Sequence, residues 1–250
     1  MTAVGIWFMG IGLADLVAGL SGEPARGPRS GFAMGTGFVS SFALGLVFGL
    51  EVGPAALLAL VTGVSSAGWI LVRSRDVLSE GRASLSLLFL LLAFAAVAGT
   101  ASKWTPEAES LAGRSIVRLP FSRLAEAPAE QAALVGGIVL FLFATSNAIV
   151  RLVLTAVGTK FSPAEQRLRG GRIIGPIERL LIFGLGLAGE PTAAALVISA
   201  KGLLRYPELV GMRSEPGSTA RTIDVVTEYL LIGSLTSWTL ALFPLVLVSG

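Results

Sequence analysis

The sequence contains neither cysteine nor histidine. Their absence excludes disulfides, thiolate nucleophiles, Cys/His metal sites and a histidine general base. Charge is also scarce: 14% of the 250 residues are Asp, Glu, Lys or Arg, against roughly 25% in a soluble domain. A soluble fold needs charged side chains to cover its surface, and this chain has few. It is instead 53% hydrophobic, and lipid is the solvent that accommodates such a composition. The net charge of +3 does not point to nucleic acid. The basic residues sit in short loops between apolar runs, where membrane topology accounts for them. Arginine greatly outnumbers lysine, which reads as the base composition of a GC-rich genome.

A bilayer core of about 30 Å takes roughly 17–25 helical residues to cross. Eight apolar stretches approach that length: 3–20, 32–50, 54–72, 84–100, 132–157, 173–189, 191–204 and 223–248. They are continuously apolar and do not alternate with period two, which predicts helices and not a barrel. The fold expected is all-α, a polytopic transmembrane bundle of about eight spans. The seventh stretch is short enough to be tilted, buried or re-entrant. The first has no basic residue ahead of it and carries Asp15 inside it, while Arg26 and Arg29 follow. That is an anchor with its N-terminus outside, not a cleaved signal.

Loop charges give the orientation. Odd loops carry Arg26 and Arg29; Arg73, Arg75 and Arg82; Lys160, Arg167, Arg169 and Arg172; and Arg205, Arg213 and Arg221. The second and sixth loops carry only Glu51 and Glu190. Odd loops are therefore expected in the cytoplasm and both termini outside. The fourth loop, 101–131, balances Lys103, Arg114, Arg118 and Arg123 against Glu107, Glu109, Glu126 and Glu130. Leu111, Ile116, Leu119, Phe121 and Leu124 interleave with its arginines and suggest a segment on the outer membrane surface or capping the bundle. Ser162-Pro163-Ala164-Glu165 has the pattern of a capped helix start, with Gly170-Gly171 to stop it. With Arg167 and Arg169 it reads as an interfacial helix held by anionic lipid.

The chain reads as one transmembrane domain that divides into four-helix halves, 1–100 and 132–250, joined by the extracytoplasmic loop. Gly49, Leu50, Pro54 and Ala56 match Gly186, Leu187, Pro191 and Ala193 at a constant offset. A chain this rich in Gly, Leu and Ala yields such matches by chance. Gly35, Gly37, Gly45, Gly49, Gly184 and Gly186 are candidates for close helix approach.

Charges inside a membrane cost at least about 2.5–3.5 kcal/mol each on insertion scales and need a reason. Six stand out: Asp15, Arg151, Glu178, Arg179, Lys201 and Glu228. Asn147 lies one turn from Arg151 on the same helical face, and Ser199, Thr227 and Tyr229 supply hydroxyls. The topology expected here brings all six into the cytoplasmic half of the membrane. One reading is a salt-bridge layer that fixes helix register, with Arg151 and Lys201 snorkelling. The other is a polar cavity that binds an ion, a small anion or a lipid headgroup. No catalytic triad, phosphate loop or metal motif is present, and Gly184-Leu185-Gly186 through Gly189 lies within a span and is no dinucleotide fingerprint. No cofactor is expected.

Three charged signatures occur in order: 171–181 with Glu178-Arg179, 198–208 with Lys201, and 228–237 opening on Glu228. Over these some 80 residues the chain resembles an uncharacterised bacterial family of multi-spanning membrane proteins, catalogued as a domain of unknown function. The resemblance implies a membrane location and singles out Glu178, Arg179, Lys201 and Glu228; it implies no activity. The functional expectation is a bacterial inner-membrane protein that binds or moves a small solute or ion, with membrane lipids as partners. Arg179 and Lys201 would hold an anionic group, while Glu178 and Glu228 orient them or relay protons. The alternatives are an enzyme acting on a lipid or polyprenyl phosphate, and a structural subunit of a membrane complex or homo-oligomer.

Overall fold

Apolar runs of this length can satisfy their backbone in lipid only within themselves, and the computed structural model makes helices of them. It describes residues 1–19, 28–76, 83–100, 110–116, 128–157, 171–214 and 220–249. The helices are α1 (Thr2–Ala18), α2 (Pro28–Val47), α3 (Val52–Asp76), α4 (Ala83–Thr100), α5 (Leu111–Ile116), α6 (Ala129–Ala144), α7 (Ser146–Ala156), α8 (Gly171–Leu187), α9 (Pro191–Ser214) and α10 (Ala220–Ser249). Among the described residues there is no strand. Four stretches are long and apolar enough to cross a membrane: 29–47, 52–73, 83–100 and 230–249. The pair α6 and α7 makes a fifth if it is counted as one bent span. Large apolar side chains point outward from these helices, among them Phe32, Val39, Leu91 and Val246, as they do when lipid is the neighbour.

The first apolar stretch is not a lipid-facing span. Fourteen of the seventeen residues of α1 are buried, and α2, α3, α4 and α6 surround it. A helix apolar on every face suits such a central position. Its glycines set the spacing. A Cβ on Gly5 would lie 2.4 Å from the Ala133 backbone, and one on Gly137 would lie 2.3 Å from the Gly5 carbonyl oxygen. Gly10 meets Ser41 and Thr62 in the same way, and Gly37 meets Ser66. The α1–α6 contact runs from Met1 near Glu130, through Gly5 near Ala133, to Gly12 near Leu140. The two helices are therefore parallel. Phe8 of α1, Phe94 of α4 and Phe141 of α6 close the layer, with ring centroids 5.6 Å and 4.8 Å from Phe8. Of the glycines expected to pack, Gly37, Gly45 and Gly186 do so, whereas Gly35 and Gly184 face open space.

Two hairpins, α2–α3 and α8–α9, turn identically. Gly49 N–H donates to the Leu46 carbonyl and Leu50 N–H to Gly45; Gly189 N–H donates to Gly186 and Glu190 N–H to Leu185. Each is a Schellman motif whose glycine is left-handed, with φ of 83° at Gly49 and 80° at Gly189. The structural counterpart of Gly49 is thus Gly189 and not Gly186. The sequence match between the halves was three residues out of register at the turn.

Three boundaries differ from the apolar runs. Arg73 lies in α3, not in a loop, because the helix continues to Asp76. The short seventh stretch becomes α9, 24 residues long, of which only Pro191–Leu203 is apolar. The fifth stretch is broken at Thr145, where α6 and α7 meet at 52°. No proline or glycine sits at the break. Thr145, Ser146 and Asn147 are all residues whose side chains compete for backbone partners, and the Ser146 hydroxyl donates to the Leu142 carbonyl. In the fourth loop, Ser110 caps α5 by accepting from Gly113 N–H at 3.1 Å, and α5 rests on α6. The expected interfacial helix at 162–169 lies outside the described residues.

Candidate functional site

The charges expected to form one layer form two separate clusters. The first joins α1 to α3. Trp69 and Arg73 are one turn apart on α3 and face the same way. Trp69 Nε1 donates to Asp15 Oδ2 at 3.0 Å, and Arg73 Nη1 lies 2.9 Å from Asp15 Oδ1. The latter contact is an ion pair by distance but is out of line for a hydrogen bond. The guanidinium carbon of Arg73 also sits 5.4 Å from the Trp69 ring centroid, a cation–π distance. Both charged side chains are 2% exposed. Asp15 is therefore neutralised on the spot and does not reach Glu178, Arg179 or Lys201.

The second cluster is held by α7, α8, α9 and α10. Glu178 and Arg179 are neighbours on α8 and point in different directions. Glu178 accepts from Lys201 Nζ of α9 and, at 3.2 Å, from Trp238 Nε1 of α10. Arg179 donates from Nη1 to Ser237 Oγ of α10 at 3.0 Å and from Nη2 to Asn147 Oδ1 of α7. Asn147 belongs to the first turn of α7, just past the break at Thr145. Arg179 is 2% exposed, and its Nε is buried without a hydrogen-bond partner. Thr145 Oγ1 is likewise buried and unpartnered. Gly175, one turn before Arg179 on α8, faces the same spot: a Cβ there would stand 3.4 Å from Asn147 Oδ1 and 3.6 Å from each Nη of Arg179.

The electrostatics differ from a self-neutralising layer. Lys201 and Glu178 cancel each other. Arg179 has two neutral oxygen acceptors and makes no contact with a carboxylate among the described residues. A buried cation in that position needs an anion or pays a large desolvation penalty. No group of three or more acidic residues could hold a metal among the described residues.

Of the residues singled out by sequence, Glu178, Arg179, Lys201 and Asn147 are brought together. Arg151 is half-buried one turn beyond Asn147 and has contacts of its own. Glu228 does not join. It is exposed, and nine residues along α10 separate it from Ser237, about 13 Å of helix. Ser199 is exposed and bonds its own helix at Ala195; the side chain of Tyr229 lies outside the described set. Nor does Lys201 lie near a helix end, because α9 continues thirteen residues past it. Four residues were missed: Trp69, Arg73, Ser237 and Trp238. A tryptophan in mid-span needs a partner for its indole N–H, and both Trp69 and Trp238 carried that signal. Comparison with protein-family models, with curated proteins and with solved structures finds no match to this chain, so the likeness drawn from the C-terminal signatures rests on those residues alone.

Proposed function

We propose that the chain is an eight-span bacterial inner-membrane protein, termini outside, that binds and moves a small anion through its C-terminal half. The observation that carries this is Arg179: a guanidinium sealed inside the bundle, hydrogen-bonded to neutral groups, with its Nε–H unpartnered. It stands against the break between α6 and α7. A helix broken within the membrane is the usual architecture of a transport site, since it turns a half-helix N-terminus with its positive dipole into the bundle. The first turn of α7, with Asn147, is such an end. Lys201 is engaged with Glu178, so the role of anion holder falls to Arg179, while Glu178, Lys201 and Trp238 tie α8, α9 and α10 together behind it.

The eight-span reading is supported by the parallel packing of α1 and α6. Three crossings and an outer loop between them return the chain to the same side of the membrane, as the loop charges require. Burial of Arg179 favours a ligand inside the bundle over a lipid phosphate reached from the leaflet. With the guanidinium closed off, loading requires motion, and the 52° break is the natural hinge. The test is anion flux into liposomes containing the purified protein. Arg179→Gln is expected to abolish flux while the protein keeps its unfolding temperature. Wild-type flux in that variant would reject the role.

A further inference from the structure

We infer that α7 and the start of α8 form a gate beside Arg179, hinged at Thr145 and at Gly175-Pro176, with the Asn147–Arg179 hydrogen bond as its latch. The inference rests on the reading of Arg179 as a site that must be loaded. Two helix interruptions meet there. α6 and α7 part at Thr145 by 52°. α8 is continuous, but Pro176 is its sixth residue, past the first turn that tolerates proline. It has no N–H to give the carbonyl of Arg172, and in a helix interior that costs about 3 kcal/mol. Gly175 before it has no Cβ to crowd the proline ring. Sharp helix bends form at such positions.

The interruptions touch each other. A Cβ on Gly175 would stand 3.4 Å from Oδ1 of Asn147, two residues past Thr145. Both free arms lie on the same side of this contact. Arg179 meets Ser237 and Gly186 meets Leu245, so α8 and α10 run in the same direction. Leu154, beyond Asn147 on α7, meets Gly233, which precedes Ser237 on α10. Residues 146–156 of α7 and 171–175 of α8 therefore extend from Arg179 toward the same end of α10. In the topology proposed above that end is cytoplasmic.

Packing separates fixed parts from free ones. α6 is fastened to α1 where Gly5 and Gly137 bring the backbones together. From Glu178 onward α8 is tied to α9 by Lys201 and to α10 by Trp238 and Ser237. Ahead of its hinge, Ile173 and Ile174 of α8 are more than half exposed. α7 seats itself with Ala148, Ile149 and Leu152, and apolar helix contacts of this kind shear. Arg179 joins the two parts: Nη1 holds Ser237 on the fixed side and Nη2 holds Asn147 on the arm. Arg151, one turn along α7, has contacts of its own; Asn147 is the tie at the hinge itself.

The chain has no cysteine, so introduced thiols carry the only spin labels. Val157→Cys with Leu187→Cys reads the α7 arm, and Ile174→Cys with Leu187→Cys reads the α8 arm; all three side chains are exposed. Distances are measured by double electron–electron resonance on the full chain in lipid nanodiscs, without added anion. Asn147→Ala is expected to add a second distance in both pairs. A change of about 20° at Thr145 moves the end of α7, about 16 Å away, by about 6 Å. Adding Pro176→Ala should return the α8 pair to one distance. Single, unchanged distances in both pairs on Asn147→Ala would overturn the gate. A second distance in the α7 pair alone, or one in the α8 pair that survives Pro176→Ala, would overturn the α8 hinge. Asn147→Ser, too short to reach Arg179, replaces the alanine variant if that does not fold. A second distance in both pairs from a protein without anion flux supports the gate and rejects the anion reading.

Discussion

Asp15 and Glu178 face the same problem and meet it differently. Each is a carboxylate among apolar helices, and each accepts a hydrogen bond from a tryptophan and a contact from a cation. Around Asp15 the chain is dense: α1 is enclosed by four helices, backbones touch at glycines, and the ion pair is 2% exposed on both sides. Around Glu178 it is looser. Side-chain exposure rises to 9% for Glu178 and 21% for Lys201, and the fully buried apolar core shrinks to Ile182, Ala194 and Ala241. The first pair is sealed and neutral. The second stands beside a cation left over. A buried ion pair that balances contributes specificity of packing; a buried charge that does not balance points to something that binds.

The largest effect expected follows from the sealed pair. Asp15→Ala leaves Arg73 buried without a counter-charge, which costs about 3–5 kcal/mol. Detergent-solubilised protein should show a large drop in unfolding temperature. Asp15→Leu combined with Arg73→Met should recover most of it, because two apolar groups need no partner. An Asp15→Ala variant that unfolds with the wild type would make the two clusters equivalent and end the contrast. Next in size is the glycine seam. Gly137→Ala drives a methyl to 2.3 Å from the Gly5 carbonyl and should cost at least about 1–3 kcal/mol, the usual penalty of overpacking. Gly35→Ala meets nothing within 4 Å and should gain up to about 1 kcal/mol from helix propensity alone.

Which glycine belonged to which class was not legible in the sequence. Gly5, Gly12 and Gly137 lie in runs as apolar as those of Gly35 and Gly184, and hydropathy does not tell a helix wrapped in protein from one wrapped in lipid. The helices themselves were legible, because long apolar runs without alternation admit little else. Glu178, Arg179, Lys201 and Asn147 were legible as residues with no business in lipid. Their partners were not. Pairing depends on which way each helix is rotated and where it ends. Arg73 closes an apolar run and so looked like a loop charge until α3 carried it one turn further beneath Asp15. The break at Thr145 was hidden for a similar reason: Thr-Ser-Asn lacks the proline or glycine that announces a kink.

The unbalanced cluster predicts the opposite of the sealed one. Arg179→Gln removes a buried charge that touches no carboxylate among the described residues, while the Gln amide can still donate to one of Ser237 and Asn147. Unfolding temperature should stay level or rise, and anion binding should disappear. Loss of stability as large as that of Asp15→Ala would mean that Arg179 is structural and would join the two clusters into one kind. Arg179→Lys keeps the charge but loses the planar fork that reaches both Ser237 and Asn147, so it should retain only weak anion binding.

The smallest and sharpest comparison concerns the two tryptophans. Trp69→Phe and Trp238→Phe each delete one indole N–H donor to a carboxylate, at 3.0 Å and 3.2 Å respectively, and each leaves a ring in place. In the dry core Asp15 Oδ2 then has no donor, and the loss should be about 1–3 kcal/mol, the penalty of an unsatisfied buried acceptor. Asp15 keeps Arg73 just as Glu178 keeps Lys201, but the Glu178 side chain is less enclosed, 9% exposed against 2%, so Trp238→Phe should cost under about 1 kcal/mol. Chemical denaturation of the two variants in the same detergent measures the difference directly. Equal losses would mean that both carboxylates feel the same surroundings, and the distinction between the two clusters would rest on Arg179 alone.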